Sequence, residues 1–279
     1  MVLSWVVAIH LAVGQHADQA ILKGFLDLGG PRVNSLATFM ARLCDPSPWI
    51  YFAAVPILVA LGRRRPRVAL AVAVILIGAN ASTQLLKPLL AAPRAQSLLG
   101  NLGHVSAASW PSGHATAAMS LALASVLAAP ARWRGLMAAI GAAFAVAVSY
   151  SFLTLGWHYP SDVLGGFAVA GAWALGAVGV LFALEARRER LAAPELQAAP
   201  ARQATPSGPA PVTSSLRRTL RPAVLALAGA LGLAGLVALA RPHEVVAYAR
   251  AHEAMVIGAP AIALLGLLVA TAVSLALRR

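Results

Sequence analysis

The chain has 279 residues, of which 59% are hydrophobic and only 11% charged, with a mean hydropathy of +0.76. Soluble domains carry about 25% charged residues, so this composition excludes a soluble enzyme and predicts a polytopic membrane protein. The 22 Lys and Arg against 9 Asp and Glu then read as topology signals, not as a nucleic-acid surface, and the lone cysteine, Cys44, excludes an internal disulfide and a cysteine-rich metal site.

A membrane span needs about 20 apolar residues. Residues 1–14 are apolar but lack the basic start and small-residue cleavage site of a signal peptide, and they predict a short first span. Residues 15–48 predict an outer-side segment with an amphipathic helix on the membrane, since Ile21, Leu22, Phe25, Leu26 and Leu28 recur at helical spacing. Further spans are expected at 49–62 (with an alternative start near Ser35), 67–86, 112–129, 133–153, 162–184, 222–240 and 256–277. Between the last two groups, residues 186–221 are rich in Ala, Pro, Gln, Ser and Arg without apolar periodicity and predict a disordered cytoplasmic linker. The expected fold is an all-α polytopic membrane protein with three parts: a six-helix transmembrane core over 1–185, the linker 186–221, and a two-span C-terminal hairpin over 222–279. Gly171, Gly176 and Gly179 suit close helix packing in lipid.

The basic clusters at Arg63–Arg67, Arg132–Arg134, Arg187–Arg190 and Arg217–Arg221, with Arg202, Arg278 and Arg279, fall on one side of this arrangement and collect 15 of the 22 basic residues. The positive-inside rule makes that side cytoplasmic, together with both termini. The Ala- and Arg-rich composition fits a bacterial source, hence the inner membrane.

Three polar segments then share the opposite, periplasmic rim. In QLLKPLLAAPRA, Lys87 ends the third span and Arg94 follows seven residues later. Such cations snorkel at many interfaces, and they equally suit a phosphate, for which arginine offers a two-pronged fork. In WPSGHATAAMS, Pro111 suits a first helical turn, and Ser112 and Gly113 put backbone N–H groups at a helix N-terminus, where unpaired donors and the dipole attract anions. An ordinary capped helix with an interfacial histidine, His114, would look the same. In SYSFLTLGWHYPSDVLGG, His158 and Asp162 stand four residues apart at the start of the sixth span. There the carboxylate can reach one imidazole nitrogen, fix the tautomer and leave the other nitrogen free to attack, or it can simply cap the helix.

Together, two histidines, a carboxylate, a helix N-terminus and two cations on one rim compose a phosphoryl-transfer site that uses no metal and no cofactor. His158 is the expected nucleophile and Asp162 its orienting acid. His114 is the expected proton donor to the leaving oxygen, with Lys87, Arg94, Ser112 and the Gly113 amide around the equatorial oxygens. A metal site is disfavoured by the single nearby carboxylate and the lack of a usable cysteine. His243, Glu244, His252 and Glu253, in the outer loop of the hairpin, read as a solvated loop.

These residues resemble the type-2 phosphatidic acid phosphatase superfamily, whose signature is K-x6-R-P, then P-S-G-H, then S-R-x5-H-x3-D. Lys87 and Arg94 match the first motif, Pro111, Ser112, Gly113 and His114 the second, and Ser151, His158 and Asp162 the third. The resemblance covers about residues 1–185. It implies a phosphohistidine mechanism without metal and a lipid phosphate or pyrophosphate substrate, such as undecaprenyl pyrophosphate, phosphatidylglycerol phosphate, phosphatidic acid or a lipid A phosphate. Ala95 replaces the proline of the first motif, and Phe152 replaces the arginine of the third, which holds phosphate in the family. His104 is the nearest polar candidate to compensate. Phosphotransfer to a second lipid, or lipid-phosphate binding or transport with turnover lost, are the alternative expectations. The hairpin is free to pack on the core, to form a homo-oligomer or to bind a partner.

Overall fold

The computed structural model describes residues 2–94, 96–99, 105–197, 221–222, 224–225, 228–229, 239 and 242–277. Its regular elements are α1 (Val2–His10), α2 (Ala12–Asp27), α3 (Pro31–Arg42), α4 (Pro46–Gly62), α5 (Pro66–Leu89), α6 (Gly113–Ala128), a 3-10 turn (Ala131–Trp133), α7 (Arg134–Thr154), α8 (Pro160–Gln197), α9 (Pro242–Ala251) and α10 (Glu253–Ala276). No strand occurs among the described residues.

Four helical stretches among the described residues are long and apolar enough to cross a membrane: Pro66–Leu89, Ala131–Thr154, Pro160–Leu191 and Glu253–Ala276. A fifth arises if α3 and α4, bent by 55° at their junction, make one broken span. Proline explains the break, because Pro46 opens α4 and cannot donate into a continuing helical ladder. That geometry favours the earlier start of the second span. The expected first span is corrected: α1 has 9 residues and stops at His10, with Leu11 in extended conformation before α2. At 1.5 Å per residue it reaches about 14 Å, half of a ~30 Å hydrocarbon core. Its Trp5 and Ile9 pack instead against Trp110, Leu90 and Ala92. The expected span at 222–240 lies mostly outside the described residues, and α8 continues through Gln197, past the boundary at 185.

The centre of the bundle is α6. Its 16 residues are buried on almost every side, by α5, α7 and α8 and, at one edge, by α4. Alanine makes this possible: Ala115, Ala117, Ala118, Ala122 and Ala124 are buried and let neighbouring backbones come close. A Cβ on Gly141 of α7 would stand 2.7 Å from that of Ala122. Polar side chains add lateral ties across α6: Thr83 to Thr116 at 3.0 Å, Asn80 to Ser120 at 3.3 Å, and the Trp49 indole to the Ala117 carbonyl at 3.2 Å. In a medium without water such groups must find partners inside the protein.

The C-terminal helix belongs to the same core. α10 packs on α7, α8 and α2; Gly266 fits against Phe167 and Val146, and Gly258 against Ile21. The Tyr150 hydroxyl donates to the Ala259 carbonyl at 2.5 Å. Of the hairpin's polar outer residues, His252 sits 3.5 Å from Asp27 and stacks on Tyr248 at 4.4 Å, so it is tied to α2 rather than simply solvated.

Charge sorts to the two ends. Lys87 lies in the last turn of α5, whereas Arg67 lies in its first. At the Arg67 end, Arg63 donates to the Ala128 carbonyl at 3.1 Å and Arg134 to the Leu277 carbonyl at 2.7 Å, closing the ends of α6 and α10.

A crossing against backbone gives a paired test. A Cβ on Gly166 would meet the Ser112 carbonyl oxygen at 2.8 Å and the Thr116 nitrogen at 3.0 Å, whereas one on Gly179, on the same helix, would meet nothing within 4 Å. Gly166→Ala is expected to lower stability by about 1–3 kcal/mol through overpacking against backbone. Gly179→Ala is expected to be neutral or slightly stabilising, since alanine is the better helix former. Thermal unfolding of the two variants in detergent checks the contrast.

Candidate active site

Site residues come from several separate places in the chain. His158 lies in the bend just before α8, and Asp162, in the first turn of that helix, folds back onto it. Asp162 is completely buried, and Asp162 Oδ2 lies 3.3 Å from Nδ1 of His158. The same oxygen accepts the Tyr159 amide at 2.9 Å. Oδ1 accepts an Nη of Arg94 at 2.7 Å. A carboxylate only accepts, so the contact to His158 places a proton on Nδ1, and in the neutral imidazole that leaves Nε2 with the lone pair.

Arg94 stands on the irregular segment after α5, and its side chain is only 3% exposed. Besides Asp162 it donates to Ser109, to Ser161 at 3.1 Å, and to Asp18 at 3.4 Å, and its guanidinium lies 4.0 Å over the ring of Tyr159. Asp18 of α2 in turn accepts the Ser161 amide at 3.0 Å and the Ser161 hydroxyl at 2.5 Å. The sequence reading placed Arg94 around the phosphate oxygens; the structure commits its donors to two carboxylates and two hydroxyls.

At the start of α6, Ser112 caps the helix, its hydroxyl accepting the Ala115 amide at 3.3 Å. The expectation that the Ser112 amide points free at an anion is corrected, because that N–H donates to the Asp162 carbonyl at 2.9 Å. This bond joins α6 to α8 and brings the two motifs together. Gly113 remains open: a Cβ there would lie 3.5 Å from both Lys87 Nζ and Gln84 Nε2. His114 Nε2 lies 3.2 Å from Asp45 Oδ1, at the α3–α4 bend. Phe152 is fully buried between the imidazoles, its ring centroid 5.1 Å from that of His158 and 6.0 Å from that of His114. Trp157 covers His114 at 5.8 Å.

The structure thus brings together Lys87, Gly113, His114, His158 and Asp162, with Ser112 and Arg94 fixed behind them. Residues 95 and 104, where the motif proline is missing and a compensating histidine was expected, lie outside the described residues. Sequence reasoning missed Asp18, Asp45, Gln84 and Tyr159. The available signal was scarcity: Asp18, Asp45 and Asp162 are three of only nine acidic residues, and a carboxylate placed beside apolar spans is a candidate by default. Among the described residues, no three His, Cys, Asp or Glu side chains converge as a metal-ligand set.

Asp18 gives the site a pH signature. Burial pushes its carboxyl up to about 7, against the lowering effects of Ser161 and Arg94, with Asp162 adding to the rise. The ordinary value is 3.8, so the folded protein holds this proton more tightly than the unfolded chain does. Its stabilising contribution is complete below about pH 4 and is lost as pH climbs through 7. We therefore expect stability in detergent to fall from about pH 4 to about pH 7 and to level off above that, and Asp18→Asn to flatten that slope. Arg94→Met, which strands two buried carboxylates, should destabilise by about 3–5 kcal/mol. Thermal unfolding across the pH series reads both effects.

Residues 68–186, which contain every residue of the three motifs, match the family model described as PAP2 superfamily. No curated protein matches the chain. Among solved structures, the chain is similar in fold to a transmembrane PAP2 type phosphatidylglycerolphosphate phosphatase from Bacillus subtilis, with 24% identity and a TM-score of 0.53 over 64% of this chain and 90% of that one. Over residues 68–186 the chain is thus similar to the PAP2 superfamily, and its helical bundle is similar in fold to that of a transmembrane PAP2 type phosphatase.

Proposed function

We propose that the protein is a membrane lipid phosphatase that hydrolyses a lipid phosphate or pyrophosphate through a phosphohistidine at His158, without metal. The observation that carries this reading is the Asp162 carboxylate on Nδ1 of a nearly buried histidine, which leaves Nε2 as the nucleophile. Nε2 attacks phosphorus; the N–P bond forms as the bond to the lipid oxygen breaks. His114, protonated, gives that oxygen its proton and so becomes neutral. Asp45 accepts from Nε2 of His114, which leaves the other ring nitrogen to serve the substrate. In the second half, neutral His114 takes a proton from water as the water oxygen attacks phosphorus, the N–P bond breaks, and phosphate leaves with His158 restored. Lys87 and the Gly113 amide face the equatorial oxygens. Arg94 serves the reaction by holding the Asp162 carboxylate in place beside His158.

The site sits at the end of the helices opposite Arg67, Arg132 and Arg187–Arg190. The positive-inside rule then supports a periplasmic site in a bacterial inner membrane, reached by the headgroup of a lipid in the outer leaflet. The substrate is drawn from undecaprenyl pyrophosphate, phosphatidylglycerol phosphate, phosphatidic acid and lipid A phosphates. Similarity to the Bacillus subtilis phosphatase supports the chemistry and leaves the choice among these lipids to assay.

Phe152 favours a second reading, a lipid-phosphate binder or a phosphotransferase with weakened hydrolysis, because an uncharged ring occupies the space between the two histidines. Phosphate release from a panel of lipid phosphates, measured in detergent with EDTA, separates the readings. His158→Ala is expected to abolish release by at least about a thousandfold. Unchanged release in that variant would remove His158 as nucleophile, and saturable binding without release by the parent protein would establish the binder. Phe152→Arg restores a phosphate donor and is expected to raise release from simple lipid monophosphates about tenfold or more. An unchanged or lower rate would show a pocket rebuilt around the ring.

A further inference from the structure

At the end of the bundle opposite the histidines, five arginines from three separate elements line one cavity of about 600 Å³. Arg64, Arg65 and Arg67 come from the α4–α5 corner, Arg134 from the start of α7, and Arg188 from α8. Glu185 is the one carboxylate on its wall. Arg134 donates to the Leu277 carbonyl and so belongs partly to the frame. Arg64, with φ of 53°, turns the chain so that Arg65 and Arg67 follow on the same corner.

The cavity continues into a second space. A groove of about 530 Å³ runs between α5 and α8, lined by Leu70, Val74, Trp173, Gly176 and Val180, and it shares Arg67, Leu181 and Leu184 with the basic cavity. Its floor at Gly176 is bare, with nothing within 4 Å of a Cβ built there. Arginines that only anchor a helix spread along the interface and snorkel singly to water. Here they converge from three elements on a concavity that opens into an apolar channel.

We propose that this is a binding site for an anionic phospholipid of the leaflet opposite the catalytic rim. The phosphodiester headgroup sits among Arg64, Arg67 and Arg188, and one acyl chain lies along the α5–α8 groove. Guanidinium forks match phosphate oxygens two at a time, and basic pockets between membrane helices select anionic headgroups. The site is remote from the histidines: Arg67 and Lys87 stand at opposite ends of α5, about 30 Å apart at 1.5 Å per residue. It therefore does not depend on the reaction proposed above.

Native mass spectrometry of the full chain, released from micelles containing equal phosphatidylglycerol and phosphatidylcholine, tests the site. The parent protein is expected to retain phosphatidylglycerol with a clear preference. The triple variant R64Q/R67Q/R188Q should reduce that preference by about tenfold or more, since each arginine near an anionic headgroup contributes roughly a fivefold effect. R187Q/R190Q, which removes charge from the same helix outside the cavity, and Lys87→Gln, at the other end, should both leave it intact. Gly176→Trp, which fills the groove and changes no charge, should lower retention, and it carries the test by itself if the triple variant does not fold. Equal loss in R187Q/R190Q would overturn the site in favour of diffuse surface attraction. Equal loss in Lys87→Gln would place the lipid at the histidines. Displacement of the lipid by millimolar inorganic phosphate, together with an unaffected Gly176→Trp variant, would make it a site for a free anion instead.

Discussion

Asp162 is a fully buried carboxylate at the start of a membrane helix, and the end of the molecule that holds the two histidines is arranged around keeping it paired. Moving an isolated carboxylate from water into such a place costs several kcal/mol even after relaxation. Arg94 offsets this at 2.7 Å, the Tyr159 amide adds a donor, and His158 receives what remains of the carboxylate's field. Arg94 is itself buried, and Asp18 balances it from α2. One interaction therefore recruits a segment far upstream in sequence, the irregular stretch after α5, and the start of α8. The backbone bond from Ser112 to the Asp162 carbonyl then brings in α6.

Packing makes the arrangement stiff. α6 carries Gly113 and His114 at its open end and is enclosed by α5, α7 and α8 along its length. Small residues set the separation of those helices, with Gly166 and Gly141 at points where a methyl group would strike a neighbour. Hydrogen bonds between Thr83 and Thr116, and between Asn80 and Ser120, hold rotation about the axis in a medium that offers no competing water. The imidazoles are thus positioned from the core outward. The arginines lie at the other end of the same helices, so a single bundle presents the two histidines at one end and a basic cavity at the other.

Spans were legible wherever a run of 20 or more apolar residues stood between basic clusters, as in α5, α7, α8 and α10. The reading failed at α1, where hydropathy resembles a span but a break at Leu11 ends the helix short, and its Trp5 and Ile9 pack on Trp110 instead. Among the site residues, His158 and Asp162 were legible because they stand only four residues apart, so that the first turn of α8 suffices to bring them together. Asp45 and Asp18 were not, because their partners His114, Arg94 and Ser161 are distant in sequence and only the packing of α2 and α4 brings them near. Phe152 was legible as a departure from the motif, and its position between both imidazole rings was not.

By itself, the sequence determined the medium, the helical class and the residue types of the chemistry. These depend on local properties: apolar length, basic flanks, and a histidine and carboxylate at helical spacing. Only the tertiary structure decided where Arg94 spends its donors, which amide of the PSGH turn is committed, and that arginines from three elements meet over an apolar groove. Those outcomes depend on distances between segments far apart in the chain. They are set by which small residues allow helices to touch and by the need to pair each buried charge.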